Sequence, residues 1–492
     1  MDAGNVFSTE FLFNAPGDAP DAGPSCLHVV DGRFFDCTPI TTDDLADESR
    51  GLATLPAIVD AHDHGRGLRT LAFGTMDEPL ESWILDLMNE PVVPPYLRAA
   101  VAFGRMVEGG IAAANHCHNT QTADLIAEAE EVARAARDVG IRVAFAVPIL
   151  DRNPVVYGDH HGLLNDVPET IKAALQRRID GVVDIEQQLE AVDAIAEFEH
   201  DLFEVQYGPR GLQWMTDQTM ETIAEASAKT GRRIHMHLFE TQRQRVWADR
   251  TYPSGPIKRM DATGFLSPRL TVAHGIWLND DEISLMAERG VTVSVNSSSN
   301  LRLRSGMARV DRFIEEGLCF GVGLDSMAFD DDEDMLREFR LFWRLHRDRH
   351  AGMNERLDLA RAFRAAAIDG RRTVVRDGDA SDKDGSTYTP FAPKSAADFM
   401  QLDWRAIAHD MMPGAIEPAH LIAGRMTKRH LRRLVVAGRS VVVDGRCTGI
   451  DLPAAEVEIL ERALHDWKRG PADRRADRDA LKQAIKRYYE AM

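Results

Sequence analysis

The chain has 492 residues, 44% hydrophobic and 28% charged, a mix typical of folded globular domains that excludes a fully disordered chain. With 58 Lys+Arg against 78 Asp+Glu its net charge is −20, which disfavours non-specific binding to nucleic acid or to an anionic membrane surface. Five scattered cysteines (Cys26, Cys37, Cys117, Cys319, Cys447) without a CxxC pair suggest neither a thiolate zinc site nor a disulfide framework.

The opening MDAGNVFSTEFLF carries acids and no basic stretch, so a secretory signal is not expected. No run of 18 apolar residues follows, so a cytoplasmic protein without a membrane span is expected. LHVVDGRFFD (27–36) reads as short β structure. Eight apolar, β-branched segments then recur: 55–64, 110–117, 142–150, 202–210, 232–240, 270–278, 291–299 and 319–326. Helical patterns lie between them, such as TADLIAEAEEVARAARDVG (122–140), with apolar residues at i, i+3, i+4 and i+7. Near-continuous apolar strands alternating with amphipathic helices imply a parallel sheet covered by helices.

Eight such units predict an α/β fold built on a (β/α)8 TIM barrel, here 55–384. An open doubly wound sheet is the alternative; polar residues gathering at so many segment ends favour the barrel. Residues 371–394 read as a polar loop. AADFMQLDW (396–404) and RRLVVAGRSVVVDGR (432–446) read as further β structure. Together, 1–54 and 385–450 predict a small composite β-sandwich domain built from both ends of the chain. The tail, 451–492, reads as charged amphipathic helix, a solvated or subunit-contact surface.

The chemistry concentrates in the histidines, 17 in all. In a barrel, active sites assemble at the carboxyl ends of the strands. His62 and His64 end the first segment as HDH, and residues i and i+2 of a strand share a face. His235 and His237 end the fifth in HMHLFE; geometry alone does not choose between them, though His237 lies nearer the mouth, with Glu240 close by. His274 ends the sixth segment and Asp325 the eighth. A buried carboxylate must be paired or bind a cation. Such nitrogen and oxygen ligands suit one divalent metal ion, zinc first, with iron or manganese as alternatives.

These motifs, HDH, HMHLFE, AHG and GLDS, resemble those of the amidohydrolase superfamily, in its cytosine deaminase and triazine chlorohydrolase-like branch. NSSSNLRLRSG (296–306) and DSMAFDDDEDMLREFRL (325–341) are similar to its further patterns, with Ser297 where the branch usually has Pro. The resemblance implies that His62, His64, His237 and Asp325 bind the metal, that His274 sits beside the metal-bound water, and that Glu240 handles protons. Binuclear members use a lysine on the fourth strand; LFEVQYGPR has none, and Lys172 and Lys229 are the nearest, so a single ion is expected.

The expected function is a mononuclear metal-dependent hydrolase, an aminohydrolase (deaminase) of an N-heterocyclic small molecule acting through metal-activated hydroxide. Its alternatives are a hydrolase of amide, ring-amide or carbon–halogen bonds, and an inactive barrel serving as a binding subunit. Arg210, Gln213, Trp83 and His118 are candidate substrate contacts, with Trp214 and Glu78 beside them. His116 and His118 form a third HxH pair, a rival ligand set. DDDED (330–334) reads as a solvated loop leading into a helix. A small molecule is the expected partner, with no nucleic acid and no membrane, and the resemblance implies a homodimer or larger homo-oligomer.

Overall fold

The structure, a computed structural model, describes residues 4–325, 329–347, 357–375, 388–469 and 474–491. Eight strands form one parallel sheet in sequential order. They are β1 (Ile58–Asp63), β2 (Ile111–Cys117), β3 (Arg142–Ile149), β4 (Phe203–Pro209), β5 (Ile234–Leu238), β6 (Leu270–His274), β7 (Thr292–Val295) and β8 (Cys319–Val322). The sheet closes on itself just past β8. There the backbone N–H of Asp325 donates to the His62 carbonyl at 2.9 Å, and Leu324 N–H donates to Asp60 Oδ1 at 3.0 Å. The barrel expectation holds, and the closing seam itself carries two of the predicted site residues.

The connecting helices form where the apolar periodicity placed them. Leu125–Val139 starts at Asp124, whose side chain accepts from Ala127 N–H, and ends at Gly140, which turns the chain at φ 90. Its Ala129, Val132, Ala136 and Val139 are buried against the barrel.

Part of the segment read as a polar loop is structural. The short helix Arg371–Val374 inserts Val374 among Val59, Ala113 and Ala144, near the amino ends of β1, β2 and β3. The Thr373 carbonyl accepts from Asn115 Nδ2 and Gln206 Nε2, both at 2.9 Å. Interior amides of β2 and β4 thereby gain a partner that the strands cannot provide. Residues 376–387 lie outside the described residues.

Both ends of the chain build the second unit. One sheet, Asn5–Thr9, Ser25–Val30 and Arg33–Pro39, is antiparallel. The other runs Arg446–Cys447, Arg439–Val443, Leu431–Val436, Phe399–Asp403, Leu52–Pro56, Phe11–Leu12, so four C-terminal strands join two N-terminal ones where Phe399–Asp403 pairs with Leu52–Pro56. Phe7, Leu27, Phe34, Phe399 and Val435 pack in a shared core. Asp398 ties this unit to the barrel through Arg142 (2.8 Å) and Arg371 (2.6 Å).

The tail forms two helices, Leu452–Arg469 and Arg474–Glu490. One face of each packs on this chain's own barrel, while Val457, Leu460, Leu464 and Trp467 of the first stay exposed. Leu452, Ile459 and Ala463 pack on Leu97 and Val101. Lys482 Nζ donates to Asp86 at 2.8 Å, and the Tyr489 ring lies 5.1 Å from that of Tyr157. Among the described residues no helix is long and apolar enough to cross a membrane.

Candidate active site

Four histidines and one aspartate from β1, β5, β6 and the β8 exit converge at the carboxyl end of the barrel. His62 Nε2 and His64 Nε2 each lie 3.1 Å from Asp325 Oδ1, and His237 Nε2 lies 3.4 Å from His64 Nε2. Ligand atoms about 2.1 Å from a tetrahedral ion would sit about 3.4 Å apart, so these spacings fit a shared cation. His62 Nε2 and His274 Nε2 are buried without a hydrogen-bond partner. Lone pairs stranded in this way are what a cation would satisfy.

The second nitrogen of each ring explains the orientation. Nδ1 of His64 is 2.9 Å from the Cys117 carbonyl, and Nδ1 of His237 is 2.9 Å from the Arg210 carbonyl. Nδ1 of His274 is 2.9 Å from Asn300 Oδ1. An Nδ1–H donated to an oxygen leaves the Nε2 lone pair facing the centre. His62 Nδ1 meets His235 Nε2 at 2.7 Å, which resolves the HMH ambiguity: His235 stands behind His62, and His237 faces the cluster. Asp325 Oδ2 accepts from Ser299 Oγ at 2.6 Å. His274 and Asp325 occupy left-handed backbone, φ 73 and φ 57, which costs non-glycine residues of order 1–3 kcal/mol and gathers at functional sites.

Glu240 lies two residues beyond β5, its Oε2 3.6 Å from His274 Nε2 and its Oε1 without a partner. Burial pushes its carboxyl well above the usual range, and the negative charges of Asp325 and Glu81 push it further. Burial alone would also raise Asp325, but the histidines around it hold it well below that range. Burial pulls His62 down to about 4 and His237 well below the ordinary imidazole value, favouring the neutral form that a metal ligand needs. One network therefore holds a carboxyl favoured as the anion beside one whose burial favours the protonated form.

A cavity of about 650 Å³ opens onto this cluster. His64, His237, Glu240 and Asp325 line it, with Trp83 and Trp214 also on its walls. Of the expected substrate contacts, Trp83 and Arg210 line it and Gln213 does not; Gln213 is buried with its amide folded over Gly211. His118 borders the cavity, but both its nitrogens are engaged, with Glu128 (2.8 Å) and His116 (3.1 Å), so His116 and His118 stand apart from the metal cluster. Glu78 faces away, accepting from Ser82 and Lys482. DDDED departs from a solvated loop: Asp331, Glu333 and Asp334 are buried, Asp331 pairs with Arg302 at 3.1 Å, and Asp334 caps the helix Met335–His346. Ser326 lies outside the described residues.

The profile of the Amidohydrolase family matches residues 53–379. The chain belongs to the amidohydrolase family. Among relatives of this amidohydrolase is a 5-methylthioadenosine/S-adenosylhomocysteine deaminase of Thermococcus sibiricus, 25% identical over 68% of this chain and 74% of the relative. A 5'-deoxyadenosine deaminase of Methanothermobacter thermautotrophicus is 26% identical over 63% and 67%. The fold matches an adenosine deaminase from Xanthomonas campestris with bound zinc: TM-score 0.73, 20% identity, 94% of this chain and 98% of that one. It also matches atrazine chlorohydrolase from Arthrobacter aurescens complexed with zinc: TM-score 0.73, 17% identity, 93% and 99%.

Sequence reasoning assigned no role to Ser299 and Asn300, which orient Asp325 and His274, and left His235 as an undecided alternative to His237. Ser299 and Asn300 stand in the quoted NSSSN motif, whose polar run just past an apolar strand was the available signal.

Proposed function

We propose that this amidohydrolase is a mononuclear, zinc-dependent aminohydrolase of a nitrogen heterocycle. The observation that carries the reading is the place of Glu240: a buried carboxyl with one oxygen unpartnered, 3.6 Å from His274 Nε2 at the edge of the histidine–aspartate cluster, where burial favours its protonated form. The deaminase names of the relatives support it. A single ion is supported by β4, whose FEVQYGP has no lysine to bridge a second.

His62, His64, His237 and Asp325 would hold the ion, which when bound lowers the pKa of a water and so supplies the nucleophile at neutral pH. Asp325 Oδ2, steadied by Ser299, takes the proton that the water gives up. His274, its Nδ1 tied to Asn300, presents Nε2 to the nucleophile and holds it in line. Glu240 delivers its proton to a ring nitrogen beside the carbon under attack, making that carbon more electrophilic. The C–N bond to the exocyclic amine then breaks, and the amine leaves as ammonia with protons returned through the two carboxyl groups. Trp83 and Leu303 close the cavity around the ring and exclude bulk water.

Ammonia release from a panel of purines, pterins, pyrimidines and triazines by the zinc-loaded protein tests the reading. Production of ammonia supports it; ring-opened or dehalogenated products alone would refute it.

A further inference from the structure

Two arginines in the cavity wall have no counter-charge. Arg210 follows β4 directly, and Arg178 sits in the last turn of the helix Glu169–Asp180; both line the cavity. Among the described residues neither forms an ion pair, in a chain with 20 more acids than bases. The other two arginines of the same wall are treated differently. Arg66 and Arg98 share Glu90, at 3.0 and 3.2 Å. The carboxyl end of its helix offsets part of the Arg178 charge. Nothing comparable serves Arg210.

Guanidinium groups facing a shared cavity without a carboxylate are a fit for an oxyanion, which they grip through paired, charge-assisted hydrogen bonds. Arg210 is also bound to the reaction centre through its own backbone, since its carbonyl accepts from His237 Nδ1. An anion held there would fix the rest of the molecule relative to the histidine cluster.

We infer that Arg178 and Arg210 seat an oxyanion, a carboxylate or a phosphate, carried by the substrate on the side away from its reacting ring. The inference deepens the aminohydrolase reading and rests on it for the nature of that ring.

Titration calorimetry of the zinc-loaded protein tests it with two matched pairs: pterin against pterin-6-carboxylate, and adenosine against adenosine 5'-monophosphate. The anionic member of at least one pair should bind roughly 10- to 100-fold tighter, the scale of hydrogen bonds to a charged group. Arg178→Gln should remove most of that advantage and leave the neutral member unchanged, and Arg210→Gln should weaken the anion far more than the neutral member, both with unaltered circular dichroism. The pair that shows the advantage tells carboxylate from phosphate. Equal affinities within both pairs, no binding by either anion, or an advantage that survives both substitutions would overturn the seat. Binding is read without turnover, so the two readings separate. An anion advantage with no ammonia from any compound would leave the seat standing and sink the deaminase. Ammonia from the neutral compounds with no anion advantage would do the reverse.

Discussion

Two HxH motifs stand at adjacent strand ends of this barrel, and they do different things. In HDH, at the end of β1, His64 turns Nδ1 to a backbone carbonyl and His62 turns Nδ1 to His235, which leaves both Nε2 atoms aimed at Asp325. In HCH, at the end of β2, the rings turn on each other, and His118 uses its remaining nitrogen on Glu128. Spacing put each pair on one face of its strand. What each ring's far nitrogen meets decided whether the near one is open to a cation or consumed by the wall.

The comparison can be broken at its ligand side first. His237→Ala removes one imidazole of the centre and should cost both the metal and essentially all turnover, measured by metal analysis alongside ammonia release. A variant that kept stoichiometric metal would move the centre elsewhere. Glu240→Gln comes next. It should retain the metal but lose 10²- to 10⁴-fold in kcat, the scale of a general acid–base group. Undiminished turnover would remove Glu240 from the mechanism.

On the other side, His118→Ala should leave metal content unchanged and lower stability by roughly 2–4 kcal/mol. The loss combines a cavity with a buried Glu128 deprived of its partner, and denaturant unfolding would read it. Loss of metal in this variant would mean that the two motifs are one site.

The smallest effect concerns pH. Burial, with the charges of Arg98 and Arg210, lowers His118 below its ordinary value and outweighs Glu128. A histidine whose folded pKa is depressed binds fewer protons folded than unfolded. Its neutral form therefore adds stability at pH above the unfolded value, about 6.5, and that stability falls as pH drops below it. Thermal melts from pH 7.5 to 5 should fall more steeply for the wild type than for His118→Phe. Parallel slopes would show that folding leaves the His118 pKa unshifted, and a shallower wild-type slope that it is charged when folded.

Much of this was legible without coordinates, because barrel strands are local objects. Each segment carried its own apolar run and its polar terminus, and all eight strands fall where those runs lie. The same holds for Asp124 and Gly140, whose side chain and conformational freedom bound their helix within the segment itself. The misreadings share a cause. Arg371–Val374 looked like a loop because its burial comes from strands more than 150 residues away in the chain, and DDDED looked solvated because Arg302 is its partner only in space. Gln213 and Glu78 were near the site in sequence but turn elsewhere, toward Gly211 and Lys482.

By itself, then, the order of residues determined the alternation of strand and helix, the strand ends at which imidazoles and carboxyls emerge, and hence the family. Periodicity and chain stiffness act over a few residues and need no partner. Only the tertiary structure decided which nitrogen of each ring is left open, which carboxyl is buried without a partner for one oxygen and which arginines of the cavity wall go without an ion pair. Tautomer, protonation and charge balance are set by dielectric and by contacts across the barrel, and those contacts exist only once the sheet has closed.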